Sequence, residues 1–120
     1  MKTSEDFGKA KIVKFELPSD MIKGEFFTTY AAINGSTDNA FLDLAIIAPD
    51  RSFHWYPDLG SWDSALDNGK LTFSNESYEK SCKCIVPNRG SGEYKFVMGL
   101  YENNFQNRRV VHYCEITKNL

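Results

Sequence analysis

At 120 residues the chain has the common size of one domain and can bury a core without disulfide staples. Apolar residues make up 42% and charged residues 25%, as in ordinary globular proteins. The 14 Lys and Arg against 16 Asp and Glu give a net charge of −2. That excludes the basic surplus of a nucleic-acid or anionic-lipid binder, and no apolar run approaches the ~20 residues that span a bilayer.

In chain order, residues 1–10 are charged and lack the apolar stretch of a signal peptide. The chain therefore reads either as cytosolic or as a module of a longer exported protein. This start, like residues 118–120, is expected to be loose. After it, period-two alternation recurs. In "KIVKFELP", Val13, Phe15 and Leu17 share one face and Lys14 and Glu16 the other. "EFFTTYAAIN" is extended and aromatic and is expected to stop at Asn34-Gly35-Ser36. "AFLDLAIIAP" lines up Leu42, Leu44, Ile46 and Ala48, with Phe41, Ala45 and Ile47 opposing them. "SFHWY" lies between two Pro-Asp turns, and Ser61–Leu66 is the one candidate for a short helix, capped by Ser61. "KLTFS", "SCKCIVP", "EYKFVMGLYE" and "RRVVHYCEIT" follow. In the last three, Cys82, Cys84 and Val86 group together, then Tyr94, Phe96, Met98 and Leu100, then Val110, His112, Cys114 and Ile116. Two strands apolar on both faces, Phe41–Ala48 and Tyr94–Leu100, are expected to be central neighbours. About eight strands at this spacing predict a single all-β domain, an antiparallel β-sandwich of roughly seven to nine strands.

The stretches "LDLAIIAPDRSFHWYPDLG" and "NRGSGEYKFVMGLYE" resemble the middle and late strands of Ig-like or fibronectin-III-like modules of secreted bacterial and archaeal proteins. The resemblance covers about half the chain. It implies an accessory, binding or assembly module with no catalytic residues to carry over. It also implies that Tyr94 is a corner tyrosine whose hydroxyl bonds back to nearby backbone. Two positions depart from the pattern. Arg51 stands where the turn glycine would be, and Phe96 stands where an antibody-type domain has its second bridging cysteine.

Four groups carry candidate chemistry. The aromatic cluster offers Tyr56 and Trp62, with His54 beside them, as a stacking surface for a sugar or peptide. The competing role puts Phe53 and Trp55 in the core, with Tyr56 and Trp62 closing the sandwich end. Among the acids, Asp50, Asp58 and Asp63 flank loops that could supply calcium with oxygens, although no EF-hand spacing is present and Asp is an ordinary turn residue. Cys82, Cys84, His112 and Cys114 would form a zinc set if their strands met. Buried thiols come first for these cysteines and a disulfide second, and the odd total of three leaves at least one unpaired within the chain. Asn34-Gly35-Ser36 and Asn75-Glu76-Ser77 match the N-glycosylation sequon. For catalysis there are two histidines, and no nucleophile-elbow, zincin or phosphate-loop pattern.

These readings converge on a non-catalytic binding or structural module that needs no cofactor and works outside the cytoplasm. Its expected partner is a protein or a second copy, with no nucleic acid and no membrane insertion. A carbohydrate-binding module and a self-assembling filament or surface-layer subunit are the alternatives.

Overall fold

A computed structural model describes residues 2–3, 10–55, 71–102, 107 and 109–120. Among them are seven strands and no helix: β1 (Lys2–Thr3), β2 (Ala10–Glu16), β3 (Phe26–Ile47), β4 (Phe53–Trp55), β5 (Leu71–Ile85), β6 (Glu93–Glu102) and β7 (Arg109–Asn119). All pairings are antiparallel. The fold is the all-β sandwich the alternation predicts.

The two layers share one strand. The first half of β3 pairs with β2 on one side and β5 on the other. Its second half pairs with β6 and β4, and the layer continues through β7 to β1. β3 is thus 22 residues long and passes from one layer into the other. Here the expectation of two strands separated at Asn34-Gly35-Ser36 is corrected. Gly35 takes φ 124, and the pairing with β5 shifts register just beyond it. A glycine free of Cβ lets the strand kink and continue where a side chain would have forced a turn. Residues 71–74 of "KLTFS" and 81–85 of "SCKCIVP" likewise belong to one 15-residue strand, β5. The expectation of loose ends is corrected where they are described: Lys2–Thr3 pairs with β7, Ala10 opens β2, β7 runs to Asn119, and Leu120 exchanges two backbone hydrogen bonds with Gly92.

Between the layers lies a close-packed apolar core. Ile33, Leu44, Ile46, Tyr94, Phe96 and Leu100 are fully buried within it. Phe27 of the first layer meets Phe96 of the second edge to face, with ring centroids 5.8 Å apart and planes at 83°. This geometry sets the positive ring edge against the negative face. Phe96 therefore joins the layers by packing, at the position where a cysteine would have joined them covalently.

Two faces are reassigned by β-bulges. β2 slips by one residue between Ile12 and Lys14, so Ile12 and Phe15 point inward while Val13 is left 45% exposed. In β7 a slip opposite Leu100/Tyr101 buries Val111 and turns Val110 outward. One extra residue inverts the side-chain phase beyond it, which strict period-two counting does not detect.

Candidate functional site

The β3–β4 hairpin and the loop before β6 meet at one end of the sandwich. Pro49 and Asp50 are the central residues of a turn closed by Arg51 N–H donating to the Ala48 carbonyl at 2.9 Å. Arg51 then adopts φ 69, and Ala48 N–H returns to the Ser52 carbonyl at 3.0 Å. This is a turn followed by a left-handed bulge residue, so the hairpin closes with arginine in a conformation that usually selects glycine.

Asp50 organises the corner. Its Oδ1 accepts the Ser52 backbone N–H at 3.0 Å and the Ser52 hydroxyl at 2.5 Å. Its Oδ2 accepts Arg89 Nε at 2.9 Å. The Ser52 hydrogen bonds, helped by Arg89, hold the Asp50 carboxyl down at about 2. His54 Nε2 lies 2.8 Å from Ser52 Oγ. Because Ser52 gives its proton to Asp50, the imidazole is the donor in that contact.

The loop carrying Arg89 is itself fastened. The Tyr94 hydroxyl donates to the Gly90 carbonyl at 2.7 Å and accepts the Arg89 backbone N–H at 3.0 Å. Lys23 Nζ donates to the Gly90 carbonyl and to Ser91 Oγ. Tyr94 makes the return bond to backbone expected of a corner tyrosine. Beside this corner is an open cleft of about 420 Å³, lined by Ile47, Pro49, Arg51, Glu93 and Lys95 among others.

A second cluster joins β2 to β7 across the sandwich. Ile12 N–H donates to Nδ1 of buried His112 at 3.1 Å, and the Cys114 thiol points at the Ile12 carbonyl at 4.0 Å. Because Nδ1 accepts, this is neutral imidazole with its proton on Nε2. Burial pushes the Cys114 thiol up to about 11, which keeps it protonated and a poor nucleophile. Cys84 is a second buried thiol, in β5 opposite Phe27.

The predicted residues divide as follows. His54 and Asp50 are brought together through Ser52, a link that alternation could not reveal because it depends on the bulge at Arg51. His112 and Cys114 are brought together on the Ile12 backbone, and the side chain of Cys82 lies outside the described residues. Among the described residues no group of three His, Cys, Asp or Glu is arranged to hold a metal. Tyr56, Trp62, Asp58 and Asp63 lie outside the described residues, as do the side chain of Trp55 and the Ser61–Leu66 segment. The core role for Phe53 is corrected: it is 48% exposed on the three-residue β4, with only β3 as described strand neighbour. Arg89 and Ser52, which complete the corner, were not singled out as site residues. The Asp-x-Ser triplet, a common side-chain turn, is the signal that could have marked Ser52.

No family model matches the sequence, and no curated protein matches it. Among solved structures, the chain is similar to the crystal structure of a Niemann-Pick type C2 protein from Japanese carpenter ant. The TM-score is 0.59 at 10% identity, covering 96% of each chain. At that identity the likeness shows a shared β-sandwich fold spanning nearly the whole chain. Among the described residues no helix is long and apolar enough to cross a membrane.

Proposed function

We propose that this chain is a non-catalytic binding or assembly module that works outside the cytoplasm. One observation carries the reading: among the described residues, the groups that could do chemistry are spent on the protein's own backbone and side chains. Both Asp50 oxygens accept from Ser52 and Arg89, and His112 Nδ1 accepts from Ile12 N–H. The Cys114 thiol is held neutral. A general base or nucleophile needs a lone pair aimed at substrate, and these groups are instead engaged with partners of the protein itself. The resemblance to secreted modules supports the extracytoplasmic placement.

The test is turnover across ester, phosphoester, glycoside and peptide probes, for the wild type and Cys114→Ala. No turnover above buffer is expected. Turnover that disappears in Cys114→Ala would overturn the reading. A carbohydrate ligand is the second reading, favoured by the exposed Phe53 ring next to His54 on β4. Glycan-array binding lost in both Phe53→Ala and Trp62→Ala would support it, and a flat array would remove it.

A further inference from the structure

The described strands differ sharply in how their edges are protected. β4 and β1, which flank the second layer, are three and two residues long. The free side of β2 is met at Ile12 by His112 and Cys114 of β7. β5 is 15 residues long, and among the described residues its hydrogen-bonded neighbour is β3 alone. A long strand edge offers a row of backbone donors and acceptors to another strand.

The outer face of β5 indicates which strand fits. Register with β3 places Ser77, Glu79, Ser81 and Lys83 on that face, opposite Asn34, Ala32, Tyr30 and Thr28. All four are exposed. Charges of a single sign along an edge repel a second copy of the same strand. β5 instead carries Glu79 two residues before Ser81 and Lys83 two residues after it. In an antiparallel pair centred on Ser81, Glu79 of each copy lies opposite Lys83 of the other, twice, across a two-fold axis. Centring the pair on residue 79 or 83 sets like charges opposite each other. Centring it on residue 80 or 82 sets both charges against Ser or Ile. The side chains are already splayed over this face: Tyr30 donates to Oε2 of Glu79, and the Lys83 amine sits 4.9 Å from the Phe26 ring centroid.

We infer that the chain forms a two-fold dimer by β5–β5 strand addition centred on Ser81, with Glu79–Lys83 pairs fixing the register. The two-fold operator closes the assembly at two copies, because each copy spends the one long edge among its described strands. This pairing does not depend on the non-catalytic reading, and its failure would leave that reading standing.

The experiment is sedimentation equilibrium on the wild type, Glu79→Lys, Lys83→Glu, the double reversal and Tyr30→Phe, with circular dichroism confirming that each is folded. The wild type is expected to be a dimer. Each single reversal sets like charges opposite each other at both pairs and should weaken the dimer roughly tenfold or more. The double reversal should restore it. Tyr30→Phe, which loses the same internal bond to Glu79, should keep it. A strictly monomeric wild type, larger open oligomers, single reversals that dimerise normally, or a folded double reversal that stays monomeric would each overturn the proposal.

Discussion

The two halves of β3 make the most instructive comparison in the molecule, because one strand serves both layers under different constraints. From Phe26 to Asn34 burial alternates: Phe27, Thr29, Ala31 and Ile33 are inside, while Phe26, Thr28 and Asn34 are exposed. From Ala40 to Ile46 every described side chain on that run is buried, on both faces. The first half is a one-sided strand whose outer face meets solvent. The second half runs between β4 and β6. On its outer face Phe41 stacks on Tyr101, with centroids 5.4 Å apart. A strand packed on both faces contributes stability through each residue, whereas a one-sided strand leaves every second position available for contact. The proposed dimer edge adjoins the one-sided half.

The largest effect that sharpens this contrast is at Phe96, which ties the layers through Phe27. Phe96→Ala is expected to cost ~3–5 kcal/mol, from lost transfer energy and the cavity left behind. Tyr30→Ala, on the outer face of the one-sided half, should cost far less, because its side chain and its bond to Glu79 lie at the surface. Urea denaturation of the two variants measures both. Equal losses would show that the halves of β3 do not differ in the way their burial implies.

The join between β2 and β7 comes next. His112→Ala leaves the Ile12 N–H without its acceptor in a buried site and should cost ~1–3 kcal/mol. His112→Asn, whose amide oxygen can stand near the Nδ1 position, should recover part of that loss. If His112→Asn is no better than His112→Ala, packing of the ring rather than its lone pair holds β2 to β7.

Much of this architecture was legible in the residues themselves. Two-sided apolar runs identified the second half of β3 and β6 as central neighbours, and they pair along Ala40–Ile47 and Lys95–Glu102. Alternation placed Tyr94, Phe96, Met98 and Leu100 correctly in the core. It failed at Val13 and Val110, because each lies at a bulge that inverts the phase beyond it. It also failed at Asn34-Gly35-Ser36, where turn chemistry is overridden by long-range pairing to β2 and β5. The Asp50–Ser52–His54 corner was only partly legible. Its partners are two residues apart in the chain, but Arg89 arrives from 39 residues away, a distance that local pattern does not encode.

Gly99 tests the two-sided half at a single contact. It sits opposite Asp43, and a Cβ there would come within 2.5 Å of the Tyr101 ring. The ring cannot swing away without giving up its stack on Phe41. Gly99→Ala is therefore expected to cost ~1–3 kcal/mol by overpacking. In the Gly99→Ala/Tyr101→Ala double variant the loss should be smaller than the sum of the two single losses, because the clash and the stack share one side chain. Strict additivity in thermal melts would mean the ring moves freely, and that the outer face of this layer is as loose as that of the other.

The smallest effect lies at the exposed corner, and it depends on pH. The Asp50 carboxyl sits at about 2, down from 3.8, because the Ser52 hydroxyl and N–H donate to its charged form, with Arg89 beside it. The native value lies below the unfolded one. The stabilisation is therefore present above about pH 4 and is lost as pH falls through about 2. Asp50 is open to solvent, so its share of stability at neutral pH is minor. Its signature is the slope of stability between pH 4 and 2, which Asp50→Asn should flatten while leaving the neutral-pH melt nearly unchanged. The same variant removes the carboxylate anchor of Arg89, but Tyr94 and Lys23 still hold the loop at Arg89–Ser91. Hydrogen exchange at the Arg89 amide should then stay slow in Asp50→Asn and speed up in Tyr94→Phe. The reverse ranking would make the exposed ion pair, rather than the buried hydroxyl, the fastening of this end of the sandwich.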